Sequence, residues 1–540
     1  MTILAAVVLS LAAASPGGDL ALAWRRDGRV VTRAAPGAAA PDRTPLGSLW
    51  KLFVYAYAVE RGAPTPAYRC GVPRRPGEEY CCEPGQSVER DAALARSCAP
   101  FFETGRLGID DRSWRAFWSE RTDAAWLHDL DSLRPETSVS VPDLLRALDA
   151  VPTLARAAAS RALLPVVIDG YGQGTAGHLG GLLRVKTFTW KHPRRPGASM
   201  GGAAGWLVDG TPLWLAASGS SRSVLREEAA QIASWLPAPA GPPVDDSCVV
   251  VDYFERHPIR AVDELTTRQA AAPGPLHGRY RVAFENGNTL AFTARGELRL
   301  DREGPRPRVR GRLGLAEDGA RGLDREADPT ATEAARALGV AARTWLLQSA
   351  AFEGGCFRVA DSTRAQRVSP SPASAAAREA ALFTDGLVLH GQLVQYRREP
   401  AAGTLAWTTA LAQAREGWRF DAILASAFPR ASLGAVTGER ECRRLGDVET
   451  WLARATPRWR RALAGEPGFE PPAEALTVCA VEHGPPYADR TRARIYMRGL
   501  VRQEDRITLA HEYVHLAFRF HPRGGDEEYV ERLARSLAGR

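Results

Sequence analysis

Apolar residues recur every three or four positions in two segments near the carboxyl end of this 540-residue chain. The first segment predicts a helix that ends at Phe520, because His521 precedes a proline and residues before proline avoid helical geometry. A Pro-Arg-Gly-Gly turn follows, and Asp526 is suited to cap a second helix over about 527–537. The pattern therefore predicts two helices joined by a short turn.

Upstream, strand-like and helical stretches alternate over two longer regions. Residues 20–220 form the first region and residues 246–430 the second, and the prolines between them indicate a linker over 221–245. From Leu445 onward the pattern is mostly helical. We therefore expect a multidomain protein of the α/β and α+β classes, with a helical unit over 431–540.

The amino-terminal residues suggest export. The apolar stretch Ile3–Ala14 is followed by small residues, which is typical of a secretory signal peptide over residues 1–18. A core strand is the alternative for this stretch. No later apolar run approaches the length of a membrane span. We therefore expect a periplasmic or secreted protein without a transmembrane segment.

The cysteine content is compatible with an extracytoplasmic location, and the charge is basic. The eight cysteines include no CxxC pair, so they suit disulfides outside the cytoplasm rather than a zinc ribbon. Cys70 can pair with Cys81 or Cys82, and Cys442 can pair with Cys479. The net charge of +8 comes from dispersed arginines, which argues against a nucleic-acid surface. A basic surface would suit an anionic cell-wall polymer.

The first carboxyl-terminal helix carries the segment His511-Glu512-Tyr513-Val514-His515. Histidines four positions apart lie on one helix face, so both imidazoles can reach one metal ion. A glutamate directly after the first histidine can then act on water as a general base. The spacing predicts a Zn²⁺ site held by His511 and His515, with Glu512 as the catalytic base of a hydrolase.

This segment resembles that of the gluzincin metallopeptidases, in which a downstream helix supplies a glutamate ligand and a later carboxylate holds one histidine. The resemblance implies Glu527 as the third metal ligand and Glu531 as the residue that orients a histidine. Glu528 would replace Glu527 if the helix were rotated. His521 is a further alternative, because it stands at the third-histidine spacing of metzincins, although Phe518 occupies the position of that family's glycine.

A second set of residues lies in the region 20–220. Ser48 and Lys51 face each other at the start of an apolar helix, where a neutral lysine can activate the hydroxyl. Ser97, within Ser-Cys-Ala, and Lys186, within Val-Lys-Thr-Phe, follow in order. This order and spacing resemble a compact penicillin-binding or class D β-lactamase domain. The resemblance implies Ser48 as nucleophile and Lys51 as base, with Ser97 as proton relay and Lys186 as carboxylate anchor.

The same region departs from that family at two positions. Ala99 stands where the family has asparagine. Phe188 replaces the glycine that lets a substrate lie against the strand as an additional β partner. We therefore predict that Phe188 obstructs the approach of substrate to Ser48.

The region 246–430 carries Glu326 just before a long alanine-rich helix that begins near Glu333. The helix and three later segments resemble, in order, the stage II sporulation protein D family of lytic transglycosylases: Phe357–Thr363, Thr384–Leu389 and Ala414–Leu424. This resemblance implies Glu326 as a general acid/base that cleaves a glycan β-1,4 bond, with a pKa raised by burial. Cys356 is present, but Ala365 stands where a second cysteine would complete that family's metal site.

Over most of its length the chain resembles predicted secreted bacterial proteins of unknown function that are encoded beside alpha-macroglobulins. The leading interpretation is an exported zinc-dependent peptidase or amidase that acts on peptidoglycan or envelope proteins, with no nucleic-acid partner. One alternative is a non-catalytic peptidoglycan-binding scaffold that works with an alpha-macroglobulin-like protein. Another is a lytic transglycosylase that acts through Glu326.

Overall fold

The structure, a computed structural model, describes residues 19–539 except 38, 83, 169–172, 196, 245–246, 303–305, 364, 430, 437–443, 473–475, 481–485, 490–493 and 520. The expected signal peptide over 1–18 therefore lies outside the described residues. The chain divides into two compact units. Unit 1 comprises Met1–Val167 and Leu183–Ala238, and unit 2 comprises Ile168–Leu182 and Pro239–Arg540. Together they form a mixed α+β multidomain protein.

Unit 1 is built on one antiparallel sheet with the strand order β2-β1-β9-β8-β7. The strands of unit 1 are β1 (Ala21–Arg26), β2 (Arg29–Ala34), β3 (Arg43–Pro45), β4 (Tyr68–Arg69), β5 (Ser87–Val88), β6 (Ser138–Ser140), β7 (Leu183–Lys191), β8 (Ser199–Leu207) and β9 (Pro212–Ser218). The helices of unit 1 are α1 (Trp50–Glu60), α2 (Arg90–Arg96), α3 (Asp111–Ser119), α4 (Val141–Asp149), α5 (Thr153–Ile168), α7 (Ser221–Glu227) and α8 (Ala229–Trp235). Helix α6 (Gln173–Leu179) follows α5 in the chain but belongs to unit 2.

Helix α1 lies in the core of unit 1 because it is apolar on all sides. Every residue from Lys51 to Ala58 is buried, and a helix without a polar face is stable only when protein surrounds it. Phe53 packs edge-on against Trp118 and Trp126, with ring centroids 5.8 and 5.2 Å away. This packing fixes the start of α1, where the serine site is found.

The prediction of a linker over 221–245 is wrong for residues 221–235, which form α7 and α8. Ser220 caps α7 by accepting a hydrogen bond from the Ser223 N–H. Val224 and Ile232 are buried within unit 1. The prolines that suggested a linker come only after these helices end, so they mark a boundary later than the one predicted.

Unit 2 is built on a seven-stranded sheet with the order β11-β12-β13-β14-β10-β16-β15. The strands of unit 2 are β10 (Cys248–Tyr253), β11 (Ile259–Glu264), β12 (Gly274–Phe284), β13 (Thr289–Asp301), β14 (Arg308–Gly314), β15 (Ala351–Glu353), β16 (Cys356–Ala360), β17 (Leu387–His390), β18 (Tyr396–Arg397), β19 (Leu405–Ala406), β20 (Ser432–Ala435), β21 (Thr477–Ala480), β22 (Tyr487–Asp489) and β23 (Arg494–Met497). The helices are α9 (Leu315–Glu326), α10 (Thr332–Ser349), α11 (Ala375–Phe383), α12 (Trp407–Arg415), α13 (Phe420–Ala427), α14 (Gly446–Leu463), α15 (Gln503–Ala517) and α16 (Glu527–Ala538).

The carboxyl-terminal part of unit 2 combines three helices with a three-stranded sheet in the order β21-β23-β22. The mostly helical unit expected over 431–540 is thus part of a larger compact unit and includes strands. Trp459 of α14 packs on Tyr513 of α15 with ring centroids 5.1 Å apart, and its Nε1–H donates to the Leu537 carbonyl of α16 over 3.2 Å. One indole therefore ties the three helices together and fixes which face of α15 points inward.

Three disulfides join described cysteines in pairs: Cys70–Cys82, Cys81–Cys98 and Cys248–Cys356. Cys479 is also disulfide-bonded, and Cys442, its expected partner, lies outside the described residues. Across the described chain, no single helix combines the length and apolar character of a membrane span. Helices α4 and α5 reach that length and composition only as a pair, with a bend of 109° between them.

Candidate metal centre and two further sites

Helices α15 and α16 bring two imidazoles and one carboxylate to a single point in unit 2. Nε2 of His515 lies 3.1 Å from Nε2 of His511. The Glu527 carboxylate lies 3.2 Å from Nε2 of His511 and 3.6 Å from Nε2 of His515. Three atoms that are all metal ligands in proteins therefore converge, as the sequence predicted for this set of residues.

The other nitrogen of each imidazole has its own partner. Nδ1 of His515 lies 2.8 Å from the Gly524 carbonyl oxygen, which can only accept, so this Nδ1 carries a proton, and in the neutral imidazole Nε2 then carries the lone pair. Nδ1 of His511 lies 2.9 Å from Oε2 of Glu531. Partners of this kind fix the tautomer and the ring orientation of metal-binding histidines. Both Nε2 atoms are consequently directed to the same point.

The charges around His511 strongly favour a cation. Burial disfavours the imidazolium, but the hydrogen bond to Glu527 and the negative charges of Glu512 and Glu527, with a further contribution from Glu531, outweigh burial and raise the pKa of His511 to about 9. The local field therefore attracts positive charge, whether it is a proton on the imidazole or a divalent ion.

The register of α16 determines which of the candidate third ligands lies beside the two histidines. Asp526 caps the helix as predicted, since its Oδ1 accepts the Tyr529 N–H over 3.1 Å. This start turns Glu527 toward the histidines and leaves Glu528 exposed. The Nδ1 of His521 accepts the Arg523 N–H, and the His521 ring lies against Gly468, outside the ligand cluster.

The turn between the helices requires a glycine at position 524. A Cβ added to Gly524 would lie 2.3 Å from the Phe518 carbonyl oxygen. Helix α15 ends at Ala517 with Phe518 as its cap, earlier than the Phe520 end that we predicted, and Phe520 itself lies outside the described residues. The early end lets the turn come back beneath His515, which the sequence pattern did not indicate.

A small pocket adjoins this cluster. Its lining combines Glu512 and His515 with two segments that the sequence did not suggest, namely Gly391–Leu393, which follows β17, and Tyr487–Ala488 of β22. Glu512 is buried, with 6% of its surface exposed. A carboxylate beside a histidine pair in a largely buried pocket is suited to proton transfer. Glu512, the predicted general base, therefore shares this pocket with His515.

The serine site lies in unit 1. Ser48 precedes α1, Lys51 lies in the first turn of that helix, and Ser97 ends α2 in the left-handed conformation, with a φ of 67°. Nζ of Lys51 lies 3.1 Å from Oγ of Ser48 and 3.1 Å from Oγ of Ser97. Burial lowers the pKa of Lys51 to about 8, so an appreciable fraction is neutral near physiological pH. The structure thus brings three of the four predicted residues into direct contact.

Lys186 and Phe188 lie on the same face of β7, two residues apart. Lys186 is fully buried and donates to the Thr187 carbonyl over 3.0 Å. Burial, with the positive charge of Lys51, holds the pKa of Lys186 well below its usual range. Phe188 is 1% exposed and packs against Gly47, where an added Cβ would lie 3.0 Å from the Phe188 Cβ. An aromatic ring therefore fills space directly beside Ser48.

Glu326 is the last residue of α9 rather than part of a loop before α10. Burial raises its pKa, although the Arg367 N–H, 3.1 Å from Oε1, partly offsets this effect. Burial also raises the pKa of Asp361, a neighbouring acid that the sequence did not single out. Cys356 is bonded to Cys248, so its thiolate is not free to ligate the metal of the family that this region resembles.

Comparison with known proteins places the chain in a family. The chain belongs to the family of predicted secreted proteins DUF2300, whose sequence profile matches residues 74–196 and 403–523. A relative, the uncharacterized protein YfaQ of Escherichia coli strain K12, is 43% identical over 503 residues, which cover 92% of this chain and 91% of that protein. The family's description confirms the expected exported location, and the second matched segment includes His511–His515.

The solved structures similar to part of the chain include a penicillin receptor and a β-lactamase. The carboxyl-terminal domain of the Bacillus licheniformis BlaR penicillin receptor is 12% identical, covers 40% of this chain and 87% of its own, and has a TM-score of 0.28. L2 complexed with relebactam and a β-lactamase from Burkholderia phymatum are each 16% identical, cover 40% of this chain and 90% and 91% of their own, and have TM-scores of 0.26. Scores this low leave the chemistry of unit 1 to be judged from its own geometry.

Proposed function

We propose that this protein is an exported cell-envelope hydrolase, a zinc-dependent peptidase or amidase that acts on peptidoglycan or on envelope proteins. One observation carries the proposal: Nε2 of His511, Nε2 of His515 and the Glu527 carboxylate meet within 3.6 Å. Two imidazoles and one carboxylate are a ligand set of hydrolytic zinc sites, which keep a further position for water or substrate.

The donor set fits zinc better than a hard cation. Imidazole nitrogen suits zinc and other transition metals, whereas magnesium and calcium prefer oxygen ligands. The Nδ1 contacts to Glu531 and Gly524 are already made, so little rearrangement of the imidazoles is required for binding. His511, His515 and Glu527 would hold the ion.

The proposed reaction is amide hydrolysis. When bound, zinc supplies a Lewis acid that polarises a scissile carbonyl and brings the pKa of a water molecule to about 7. Glu512, which shares its pocket with His515, takes the proton of the attacking water and returns it to the leaving amine nitrogen. Strand β22, at an edge of its sheet, also lines this pocket, and sheet edges can pair with extended peptides.

Metal analysis of the purified full chain tests this proposal. We expect about one zinc per chain, and its loss in His511→Ala and Glu527→Ala. The matched controls are His521→Ala and Glu528→Ala, which alter the same residue types next to the cluster and should retain zinc. Unchanged metal content in His511→Ala would defeat the proposal. A wild-type chain without zinc would favour the non-catalytic scaffold that binds peptidoglycan with an alpha-macroglobulin-like partner.

A second candidate function, acyl transfer at Ser48, is supported by the contacts of Lys51 with Ser48 and Ser97. A lysine with a lowered pKa can accept the serine proton, and the second hydroxyl can relay it. Phe188 limits this site to acyl donors that do not lie along β7. Covalent labelling by a fluorescent penicillin, lost in Ser48→Ala, would support this function, and the absence of labelling would leave unit 1 as a binding domain.

A further inference from the structure

Gln392 is a buried polar residue that the proposed reaction leaves without a role. It lines the same pocket as Glu512 and His515. Its side chain is 9% exposed, and its Oε1 accepts no hydrogen bond from any described residue. Buried amide oxygens in proteins are nearly always hydrogen-bonded, so this atom is suited to receive a donor from outside the protein.

The backbone around Gln392 is held rigidly by Gln348 of α10. Nε2 of Gln348 donates to the Gln392 carbonyl over 2.9 Å, and the Val394 N–H donates to Oε1 of Gln348 over 3.0 Å. One buried carboxamide thus clamps the chain on both sides of Leu393. The main-chain position of Gln392 is therefore held by a buried residue of unit 2.

The same segment is tied to β22, which also lines the pocket. His390 lies directly before it and bonds through Nε2 to the Ala435 carbonyl over 2.9 Å. The His390 ring packs on Tyr487 of β22, with ring centroids 5.2 Å apart. These contacts tie the Gln392 segment to β22, which lines the same pocket as Glu512 and His515, and a binding site requires such rigid support.

We infer that Gln392 is a substrate-contacting residue whose carboxamide binds the main chain of an amide substrate beside the bond that is cleaved. This inference rests on the proposed zinc hydrolase and narrows its substrate class. An acceptor at Oε1 selects a substrate N–H, which amides have and esters lack, while the NH₂ group can donate to a neighbouring carbonyl. The site therefore takes peptide-like main chain in preference to esters.

Peptide binding to a catalytically silenced protein tests the inference without relying on turnover. The full chain carrying Glu512→Gln is loaded with zinc and titrated with N-acetyl tetra-alanine amide by calorimetry. Adding Gln392→Met, which keeps the side-chain length but removes its polar atoms, should raise Kd by about 10- to 100-fold. The matched control is Gln366→Met, because Gln366 is also a buried glutamine of unit 2, but its Nε2 donates to Asp318 over 3.0 Å and it does not line the pocket.

The outcomes separate the inference from the proposed function. Weaker peptide binding in Gln392→Met alone, with zinc content and thermal midpoint kept at the control's level, supports the inference. Equal affinity with and without Gln392, no binding by either protein, or zinc loss in Gln392→Met would overturn it. Zinc content of the unsubstituted chain is measured first, so failure of the metal site is seen independently of failure of the peptide contact.

Discussion

Oε2 of Glu531 lies 2.9 Å from Nδ1 of His511. Glu531 follows Glu527 by one turn of helix α16. Residues four apart share a helix face, so α16 presents both the carboxylate that meets the imidazole pair and the one that orients its first ring. The position and the tautomer of His511 are therefore controlled by the same element. Arg535 in turn forms an ion pair with Glu531, over 2.6 Å.

We predict that Glu531→Gln weakens zinc binding by about 10- to 100-fold without abolishing it, because partners of ligating histidines contribute on that scale. Competition with a chromogenic chelator measures the change. Glu528→Gln, an exposed neighbour on the same helix, should bind zinc like the wild type. Equal affinity in the two variants would mean that Glu531 does not orient His511.

We predict that Gly524→Ala lowers both stability and zinc affinity. The new Cβ would lie 2.3 Å from the Phe518 carbonyl oxygen, so the turn must move and His515 loses its acceptor. A steric change of this kind costs about 1–3 kcal/mol. Urea unfolding and metal analysis check the result against Gly465→Ala, where an added Cβ meets no atom within 4 Å. A Gly524→Ala protein as stable as this control would contradict the prediction.

We predict that Phe188→Gly increases covalent labelling of Ser48 by a fluorescent penicillin. The ring now packs against Gly47 beside the nucleophile, and its removal opens the face of β7 to a substrate. The cost in stability is about 3–5 kcal/mol, so labelling is compared at low temperature with folding followed by circular dichroism. Labelling that stays absent, or that survives in Phe188→Gly with Ser48→Ala, would show that Phe188 is not what restricts this site.

We predict a pH-dependent contribution of Lys51 to stability. Its pKa is about 8 in the folded chain and 10.5 in the unfolded chain. Between these values the unfolded chain binds a proton that the folded chain lacks, so stability rises with pH across this window. Lys51→Met removes the effect. The wild-type free energy of unfolding, measured relative to Lys51→Met, should rise from about pH 8 to 10.5 and stay level below about pH 8. If the difference in unfolding free energy between the two proteins does not change with pH, the lowered pKa of Lys51 is refuted.

If Glu326 is a glycan acid/base, Glu326→Gln abolishes the release of anhydro-sugar fragments from purified sacculi. Burial raises the pKa of Glu326, which favours the protonated form that such an acid needs. Asp328→Asn is the control, because Asp328 lies two residues away and is engaged with Thr330. Fragment release that persists in Glu326→Gln would remove this activity from consideration.

The carboxyl-terminal site was predictable because local signals agree there. The histidine spacing placed two imidazoles on one face of α15, and the Asp526 cap set the register that turns Glu527 inward and Glu528 outward. Capping and helical period are properties of a few neighbouring residues, so the sequence expresses them directly. The spacing of Ser48 and Lys51 was readable for the same reason.

Contacts between distant segments were not predictable. Gln392 reaches the pocket because Gln348 clamps a loop far from the histidines in sequence, and the Cys248–Cys356 bond spans 108 residues. No local pattern signals either contact. The helices over 221–235 were missed for another reason. The prolines that follow Trp235 made the whole range 221–245 look like a linker by composition.

The neighbouring residues Cys81 and Cys82 form disulfides in opposite directions along the chain. Cys81 bonds to the later residue Cys98, and Cys82 bonds to the earlier residue Cys70. Two crosslinks that meet at consecutive residues pin Cys98 directly after Ser97. Recombinant material made in a reducing cytosol would therefore lack the brace behind this hydroxyl, even where the rest of unit 1 folds. Production in an oxidising compartment, with thiol titration of each batch, is consequently a precondition for any assay of the serine site.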